Sequence, residues 1–380
     1  MLADPSNHEP VTIVGAGLAG LAAAIVLARA GRPVVVREWH KDVGTRFHGD
    51  FQGLENWSGS GDVLAELADA GIALTFPAHP VYRGTAFDAR GGQHTVLGDR
   101  PLFYLVTRGG TAGLEHHLLQ QAIDCGAEVR LGDRVEKVQG PAILAGGPRT
   151  ADIIAAGYVF DTGLADNCYV AFDDRLAPLG YAYLLIHDGR GTLASCMFTG
   201  FKQQAQYVAR TTEFFAAQTG LNMQNARPFG GFGNLRFPRT GMQGSHPMVG
   251  EHAGFQDALA GFGMRYALRS GILAARSILD GTSYEEGWKR EMLPRMRAGV
   301  VNRFLFNSIG ARGRDWAVRH LIGRNTADRL MKLYRPSLLT RLILPFARTR
   351  LQTPLADPSC DHEVCDCVWC RHQAVPANVA

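Results

Sequence analysis

Three glycines and one carboxylate near the start of the chain have the types and spacing that hold a dinucleotide. Gly15, Gly17 and Gly20 follow a short apolar run, and Glu38 ends the next apolar run at 34–38. In a strand–turn–helix unit the first glycine makes the turn, the second lets the backbone approach a pyrophosphate, and the third lets the helix pack on the strand. The N–H groups of the helix N-terminus then face the phosphates. A carboxylate at the end of the second strand accepts ribose hydroxyls and repels a 2′-phosphate, so the pattern favours FAD or NAD over NADP.

A second glycine-rich segment, 249–271, has the composition of a loop that leads into a long helix. Its backbone N–H groups can face the pyrimidine end of a flavin, where negative charge develops on reduction. His252 and Tyr266 flank the helix start and are candidate proton donors, although a His or Tyr in such a place more often has only a structural, hydrogen-bonded role. An ordinary loop before a helix is the alternative interpretation of the whole segment.

Four cysteines near the C-terminus have a spacing that suits a metal. Cys360, Cys365, Cys367 and Cys370 form a C-x4-C-x-C-x2-C pattern. In a reducing compartment such density favours metal over disulfides, because four thiolates can converge on zinc or on an iron–sulfur cluster. A redox-active or disordered tail is the third alternative.

Composition limits the location and the partners. The 380 residues carry a net charge of +4, but 294–350 holds thirteen Arg or Lys against two acidic residues, whereas the rest holds 26 basic and 33 acidic residues. This local excess indicates an anionic surface or an acidic partner near the C-terminal segment. There is no apolar run of transmembrane length and no signal peptide at the N-terminus, so a cytoplasmic location is expected. No nucleic-acid partner is expected.

The two glycine motifs together resemble the FAD-dependent geranylgeranyl reductase family, within the p-hydroxybenzoate hydroxylase superfamily of flavoproteins. Segment 250–264 is similar to that family's flavin-contacting loop, with Glu251 in place of the usual aspartate. Segment 103–110 is similar to the segment before the family's central helix, where an arginine lies beside the flavin, and this position is Arg108. Segment 180–189 is similar to the substrate-pocket motif, with Tyr183 in place of tryptophan.

The resemblance implies a set of FAD-binding residues and a reaction. The predicted FAD contacts are Gly15, Gly17, Leu18, Ala19, Gly20, Glu38, Trp39, Gly44, Arg46, Arg108, Val135, Gly250, Glu251, Gly261, Phe262, Gly263 and Met264. The predicted catalytic residues are His252, Tyr266 and Tyr183, and Tyr181, Phe198 and Phe232 are further candidates for the substrate slot. The implied reaction is reduction of a C=C bond in an apolar, isoprenoid-like substrate by hydride transfer from N5 of reduced FAD, with NAD(P)H or a ferredoxin-like carrier as the electron donor. A flavin monooxygenase that uses a C4a-hydroperoxide is the alternative, and a non-catalytic flavoprotein is the third class.

The strands and helices that the sequence predicts around these residues indicate an α/β fold. It has a Rossmann-like FAD-binding domain with an inserted antiparallel-sheet substrate domain and a C-terminal helical segment. The predicted parts are an FAD-binding domain at 1–80, 100–160 and 240–285, a substrate sheet at 81–99 and 161–239, basic helices at 286–350 and a Cys-rich tail at 351–380.

Leucines and aromatic residues recur at helical spacing among the arginines of 330–346. This pattern is compatible with a peripheral membrane face, which would suit a lipid-like substrate, or with a helical cap on the flavin domain. The prolines at 336 and 345 are expected to break this stretch into short helices.

Overall fold

The computed structural model describes residues 9–148, 151–235, 237–323, 325–351 and 368. The strands are β1 (Val11–Val14), β2 (Val34–Glu38), β3 (Asp50–Glu55), β4 (His79–Val81), β5 (Arg83–Phe87), β6 (Gln93–Leu97), β7 (Phe103–Arg108), β8 (Glu128–Leu131), β9 (Ala142–Leu144), β10 (Ile153–Asp161), β11 (Asn167–Ala171), β12 (Tyr181–His187), β13 (Arg190–Met197), β14 (Gln224–Gly233), β15 (Met242–Gln243) and β16 (His246–Pro247). The helices are α1 (Leu18–Arg29), α2 (Val63–Asp69), α3 (Leu114–Asp124), α4 (Gln204–Thr219), α5 (Met264–Asp280), α6 (Tyr284–Glu291), α7 (Leu293–Ser308), α8 (Gly310–Leu321), α9 (Thr326–Leu333) and α10 (Leu338–Leu351).

The N-terminal unit is the predicted βαβ arrangement. Strands β8, β2, β1 and β9 form a parallel sheet in that order. The first ten residues of α1 are all buried, because the helix packs on the sheet and against α3 and α5. Gly271 of α5 lies against the carbonyl of Ala19 and leaves no room for a Cβ atom. This close approach of two helices places the middle of α5 beside the start of α1.

The seven-stranded sheet has the order β14-β10-β13-β12-β11-β5-β6 and is antiparallel except where β5 meets β11. A two-residue turn joins β12 to β13, and its residues Asp188 and Gly189 have φ of 47° and 70°. Positive φ at both positions gives the right-handed twist of a tight hairpin, as the Asp-Gly pair predicts. The sequence analysis assigned residues up to 160 to the FAD-binding domain. In the structure β10 belongs to the seven-stranded sheet instead, because it pairs with both β13 and β14 along most of its length. An apolar strand does not reveal in sequence which sheet it joins.

The C-terminal helices form a cap, in which Pro336 separates α9 from α10 as predicted, whereas α10 is longer than Pro345 predicts. Pro294 lies in the first turn of α7, where its missing N–H costs no hydrogen bond. Pro345 lies inside α10, so the expectation that it ends a helix is wrong. It removes one backbone hydrogen bond of a helix that packs on α7 by its inner face, which stabilises it despite the loss. Within the described residues, none of the helices has both the length and the apolar character needed to cross a membrane.

Candidate functional site

One continuous cavity of about 1230 Å³ brings the two glycine motifs together with the substrate sheet and the helical cap. This volume exceeds the range of roughly 300–1,000 Å³ that is common for one small ligand, so the cavity has room for a cofactor and a substrate. Of the predicted FAD contacts, all but Gly20 line it. The cavity therefore assembles residues that lie more than two hundred positions apart in the chain.

The turn between β1 and α1, where the sequence predicts the diphosphate, forms one end of the cavity. Gly15 has φ of 107°, and a Cβ atom there would lie 2.5 Å from the carbonyl oxygen of Ala145. Gly17 caps α1 without a side-chain hydrogen bond, and a Cβ atom on it would meet no atom within 4 Å. The first N–H groups of α1 thus face open space, which suits a phosphate group. Gly20 instead packs against the carbonyl of Gly15, so its role is to hold the turn.

The predicted adenosine contacts lie at the end of β2. The carboxylate of Glu38 lines the cavity and accepts hydrogen bonds from the N–H groups of Ala16 at 2.7 Å and His40 at 2.9 Å. These bonds fix the carboxylate and leave lone pairs for ribose hydroxyls. Trp39 is 54% exposed beside it, and the guanidinium carbon of Arg134 lies 4.8 Å from its ring centre.

Two arginine–glutamate ion pairs line the middle of the cavity. Arg46 donates to Glu251 at 2.6 Å, which joins segments 205 residues apart. Because Arg46 already holds Glu251, that carboxylate can reach a ribityl hydroxyl only with its remaining lone pairs. Arg108 is buried and donates to Glu115 at 2.5 Å and to Gln52 at 3.1 Å. These bonds fix the guanidinium beside the cavity, where the resemblance places an arginine next to the flavin.

Close contacts with neighbouring residues fix the conformation of the loop 250–263. Gly250 has φ of 59°, and a Cβ atom on it would lie 3.1 Å from that of Ala19. Gly261 has φ of 82°, and its carbonyl accepts a hydrogen bond from the amide of Gln256 at 2.8 Å. The ring of Phe262 meets that of Trp57 edge-on with centroids 4.8 Å apart. The loop thus forms one wall of the cavity just before α5 begins at Met264.

The end of the cavity where the sequence predicts the substrate is apolar and lies between β12 and the helical cap. Tyr181 and Tyr183 line it from the sheet, together with Leu185, and Phe306 and Leu330 line it from the cap. The hydroxyl of Tyr181 donates to the carbonyl of Ala260 at 2.8 Å. Burial raises the pKa of Tyr183, so its hydroxyl is uncharged at neutral pH.

Two of the three predicted catalytic residues do not line this cavity. Tyr266 is buried in the core, and its hydroxyl has no hydrogen-bond partner in the described part of the chain. His252 packs against Gly146, which does line the cavity. The structure therefore brings Tyr183, but not Tyr266 or His252, to the substrate end. Of the other slot candidates, Phe232 lines the cavity and Phe198 does not.

The cysteine tail stays a sequence prediction. Cys360, Cys365, Cys367 and Cys370 lie outside the described residues. Within the described ranges, no group of three or more His, Cys, Asp or Glu side chains is placed to hold a metal ion. The predicted zinc or iron–sulfur site is thus not supported by the part of the molecule that is seen.

Sequence reasoning missed the polar anchor of the helical cap. Arg303 of α7 is 2% exposed, lines the cavity, and donates to the carbonyls of Ala258 at 3.1 Å and Leu179 at 2.7 Å. Burial lowers its pKa to about 10, so it is charged at neutral pH. Nearby, the hydroxyl of Tyr334 donates to the buried carboxylate of Asp257 at 2.8 Å. The signal available in the sequence was a single arginine between Val301 and Phe304 on an otherwise apolar stretch.

Glu55, at the end of β3, makes stability depend on pH. It is fully buried, and burial raises its pKa to about 7, while one carboxylate oxygen has no hydrogen-bond partner among the described residues. The native state therefore keeps a proton that the unfolded chain releases at lower pH, so stability falls as pH rises from about 4.5 to 7. A shift of this size corresponds to at most about 3 kcal/mol.

We expect Glu55→Gln to remove this pH dependence. At pH 8 the variant should be more stable than the wild type by about 1–3 kcal/mol, and at pH 5 the two should be nearly equal. Urea unfolding at the two pH values measures the difference. Parallel stability curves for the two proteins would contradict the assignment.

Comparisons with known proteins agree with this architecture. A family profile described as NAD(P)-binding Rossmann-like domain matches residues 13–53. A geranylgeranyl bacteriochlorophyll reductase-like protein from Thermoplasma acidophilum superposes with a TM-score of 0.66 at 16% identity, covering 89% of this chain and 98% of that one. A probable FAD-dependent monooxygenase, PqsL from Pseudomonas aeruginosa, gives a TM-score of 0.60 at 15% identity, covering 86% of this chain and all (100%) of that one.

These structures confirm the α/β fold predicted from the sequence, and they show that reductase-like proteins and FAD-dependent monooxygenases share it. Among curated sequences, a methylenetetrahydrofolate–tRNA-(uracil-5-)-methyltransferase, TrmFO, from Rhodospirillum rubrum is 31% identical over 186 residues. That alignment covers 46% of this chain, and the chain spans about a third (35%) of the length of that relative. The shared part is too short to carry that relative's activity over to this chain.

Proposed function

We propose that this chain is an FAD-dependent oxidoreductase that reduces a C=C bond of an apolar, isoprenoid-like substrate. The observation that carries the proposal is the single cavity, which runs from the phosphate-ready turn at Gly17 to an apolar end at Tyr183 and Leu330. Such a cavity places a long apolar ligand against the reactive end of a bound flavin. FAD, when bound, supplies a hydride to the substrate.

The residues of this chain do the remaining work in the proposal. The turn at Gly17 and the carboxylate of Glu38 bind the cofactor, and the apolar wall orients the alkene and excludes water. Tyr183 supplies the proton that the second carbon gains, and solvent restores it. The two electrons come from NAD(P)H or from a small ferredoxin-like carrier, which the proposal names as the reductant.

The test is an anaerobic assay of the full chain loaded with FAD and reduced with dithionite. Prenyl lipids and smaller alkenes are offered as a panel, and mass spectrometry detects the product. A gain of two hydrogen atoms by a prenyl substrate is expected. No reduction of any alkene, from protein that retains bound FAD, would overturn the proposal.

A flavin-dependent monooxygenase is the second candidate, and the specific observation that favours it is the fold shared with PqsL. The same panel run with oxygen and NAD(P)H separates the two. Gain of an oxygen atom by an aromatic or aliphatic compound, with no two-hydrogen product under anaerobic conditions, would favour the monooxygenase.

The exposed face of α10 supports a further part of the proposal, which is contact with an anionic lipid surface. Leu338, Leu342 and Phe346 lie one helical turn apart and are 76%, 71% and 68% exposed. Arginines 335, 341 and 350 are exposed on the same segment, which complements anionic headgroups. The preceding helix α9 lines the cavity with Leu330 and Leu333. In this proposal a lipid-like substrate enters the cavity from the membrane surface on which α10 rests.

We expect Leu342→Glu to weaken binding to vesicles that contain phosphatidylserine by about tenfold, because it places a charge in the apolar face. Co-sedimentation measures the bound fraction. Ile123→Glu is the matched control, because Ile123 is 45% exposed on α3, away from α10. Equal binding of both variants, or no binding by the wild type, would overturn the proposed contact.

A further inference from the structure

A second cavity, of about 350 Å³, is lined by an unusual number of guanidinium groups. It lies between α2, α5 and the junction of α6 with α7. Five arginines line it, Arg265, Arg269, Arg276, Arg290 and Arg295, against three acidic residues, Glu66, Asp69 and Glu291. We call it the arginine pocket. It shares no lining residue with the large cavity, so the FAD site does not account for it.

The carboxylate of Glu66 is already shared between two of these arginines. Both of its oxygens accept from Nη2 of Arg269 at 2.6 Å, and one accepts from Nε of Arg265 at 3.2 Å. The other two acids give little compensation. Glu291 pairs with Arg290 at 3.0 Å where both side chains are exposed, and Arg276 reaches only the carbonyl of Asp69, at 3.2 Å. Glu66 is therefore shared between the buried guanidinium of Arg265 and the partly buried one of Arg269, and the buried Glu55 is a second acidic group near Arg265.

Two guanidinium groups of the arginine pocket are incompletely paired. Arg265 is 1% exposed, and its Nη1 has no hydrogen-bond partner in the part of the chain that the structure describes. Arg295 is half-buried, and among the described residues no hydrogen bond or ion pair holds its guanidinium. Burial and the charge of Arg269 lower the pKa of Arg295, which shows that positive charges crowd one another here. A buried donor or charge without a partner is costly, so a ligand that supplies negative charge would offset the cost.

We propose that the arginine pocket binds a small phosphate-bearing anion. Guanidinium groups match the geometry of phosphate oxygens and pair with them in a bidentate manner. The volume is at the low end of small-molecule sites, which fits a pyrophosphate or a small phosphomonoester. This site is separate from the FAD diphosphate site at Gly17, and its occupancy does not depend on the proposed reaction.

The test uses the full chain saturated with FAD, so that the diphosphate site at Gly17 is filled. Inorganic pyrophosphate is the probe, and calorimetry and thermal unfolding are the measurements. We expect saturable binding to the wild type and at least tenfold weaker binding to Arg295→Met, which keeps the apolar stem and removes the charge. Arg297→Met, an exposed arginine two positions on that does not line the pocket, is the matched control and should bind as the wild type does.

Thermal unfolding adds a readout that a damaged fold cannot imitate. Without pyrophosphate, Arg295→Met should unfold at the same temperature as the wild type or at a higher one, because it removes an uncompensated charge. With pyrophosphate, only the wild type and Arg297→Met should gain stability, since a ligand stabilises the state that binds it. Absence of saturable binding by the wild type, or equal loss of binding in the two variants, would overturn the proposal.

Discussion

Gly17→Asp is expected to abolish FAD binding while leaving the fold intact. A Cβ atom at Gly17 would meet no other atom within 4 Å, so the new side chain has room in the protein. That room is the space in front of the α1 N-terminus, which the diphosphate would occupy. A carboxylate there both fills the space and repels the phosphates, so we expect affinity for FAD to fall by at least about 100-fold, or about 3 kcal/mol.

The measurement is the visible absorbance of flavin that stays with the protein after gel filtration, followed by titration of FAD. Gly287→Asp is the matched control, because Gly287 also has no atom within 4 Å of an added Cβ and lies on α6, outside the large cavity. The control should keep its FAD. Retention of FAD by Gly17→Asp would show that the diphosphate does not lie at this turn.

Tyr183→Phe is expected to lower turnover by about 10²–10⁴-fold, which is the usual contribution of a positioned proton donor. Tyr183 lines the apolar end of the cavity, where its hydroxyl carries a proton at neutral pH. The substitution removes only the hydroxyl, so FAD affinity and the rate at which the donor reduces the flavin should not change. Anaerobic single-turnover kinetics separate these two steps.

Tyr181→Phe is the control for this second prediction. Its hydroxyl donates to the carbonyl of Ala260, so it has a structural partner and is not free to protonate a substrate. We expect its turnover to fall far less than that of Tyr183→Phe. If the two variants behave alike, or if Tyr183→Phe slows flavin reduction instead, then Tyr183 is not the proton donor.

Most of the cofactor side of the site could be predicted from sequence, because its signal is local. Gly15, Gly17 and Glu38 lie within one βαβ unit, where spacing along the chain determines position in space. The loop at 250–264 was predicted by its resemblance to a family pattern and not by geometry. The structure adds how that loop reaches the first motif, through the contact of Gly250 and Gly271 with Ala19.

The substrate side was less accessible, because its residues come from distant elements. Tyr266 and His252 were plausible proton donors because both lie near the start of a helix. Tyr266, however, lies on the buried face of α5 and packs in the core. Arg303 and Tyr334 belong to no recognisable sequence motif. Only the packing of α7 and α9 brings Arg303 to Ala258 and Tyr334 to Asp257. Periodicity indicates which face of a helix is buried and does not indicate against what it packs.

The sequence by itself determined the nucleotide-binding turn, the order of the main elements and the local excess of positive charge. These depend on the conformational freedom of glycine and on hydrophobic periodicity, which act over a few residues. Only the tertiary structure decided that α7 to α9 close the cavity, that Glu55 is buried, and that Arg265, Arg269 and Arg295 converge on one pocket. Burial and charge compensation depend on contacts between segments far apart in the chain, and no local pattern of residues encodes them.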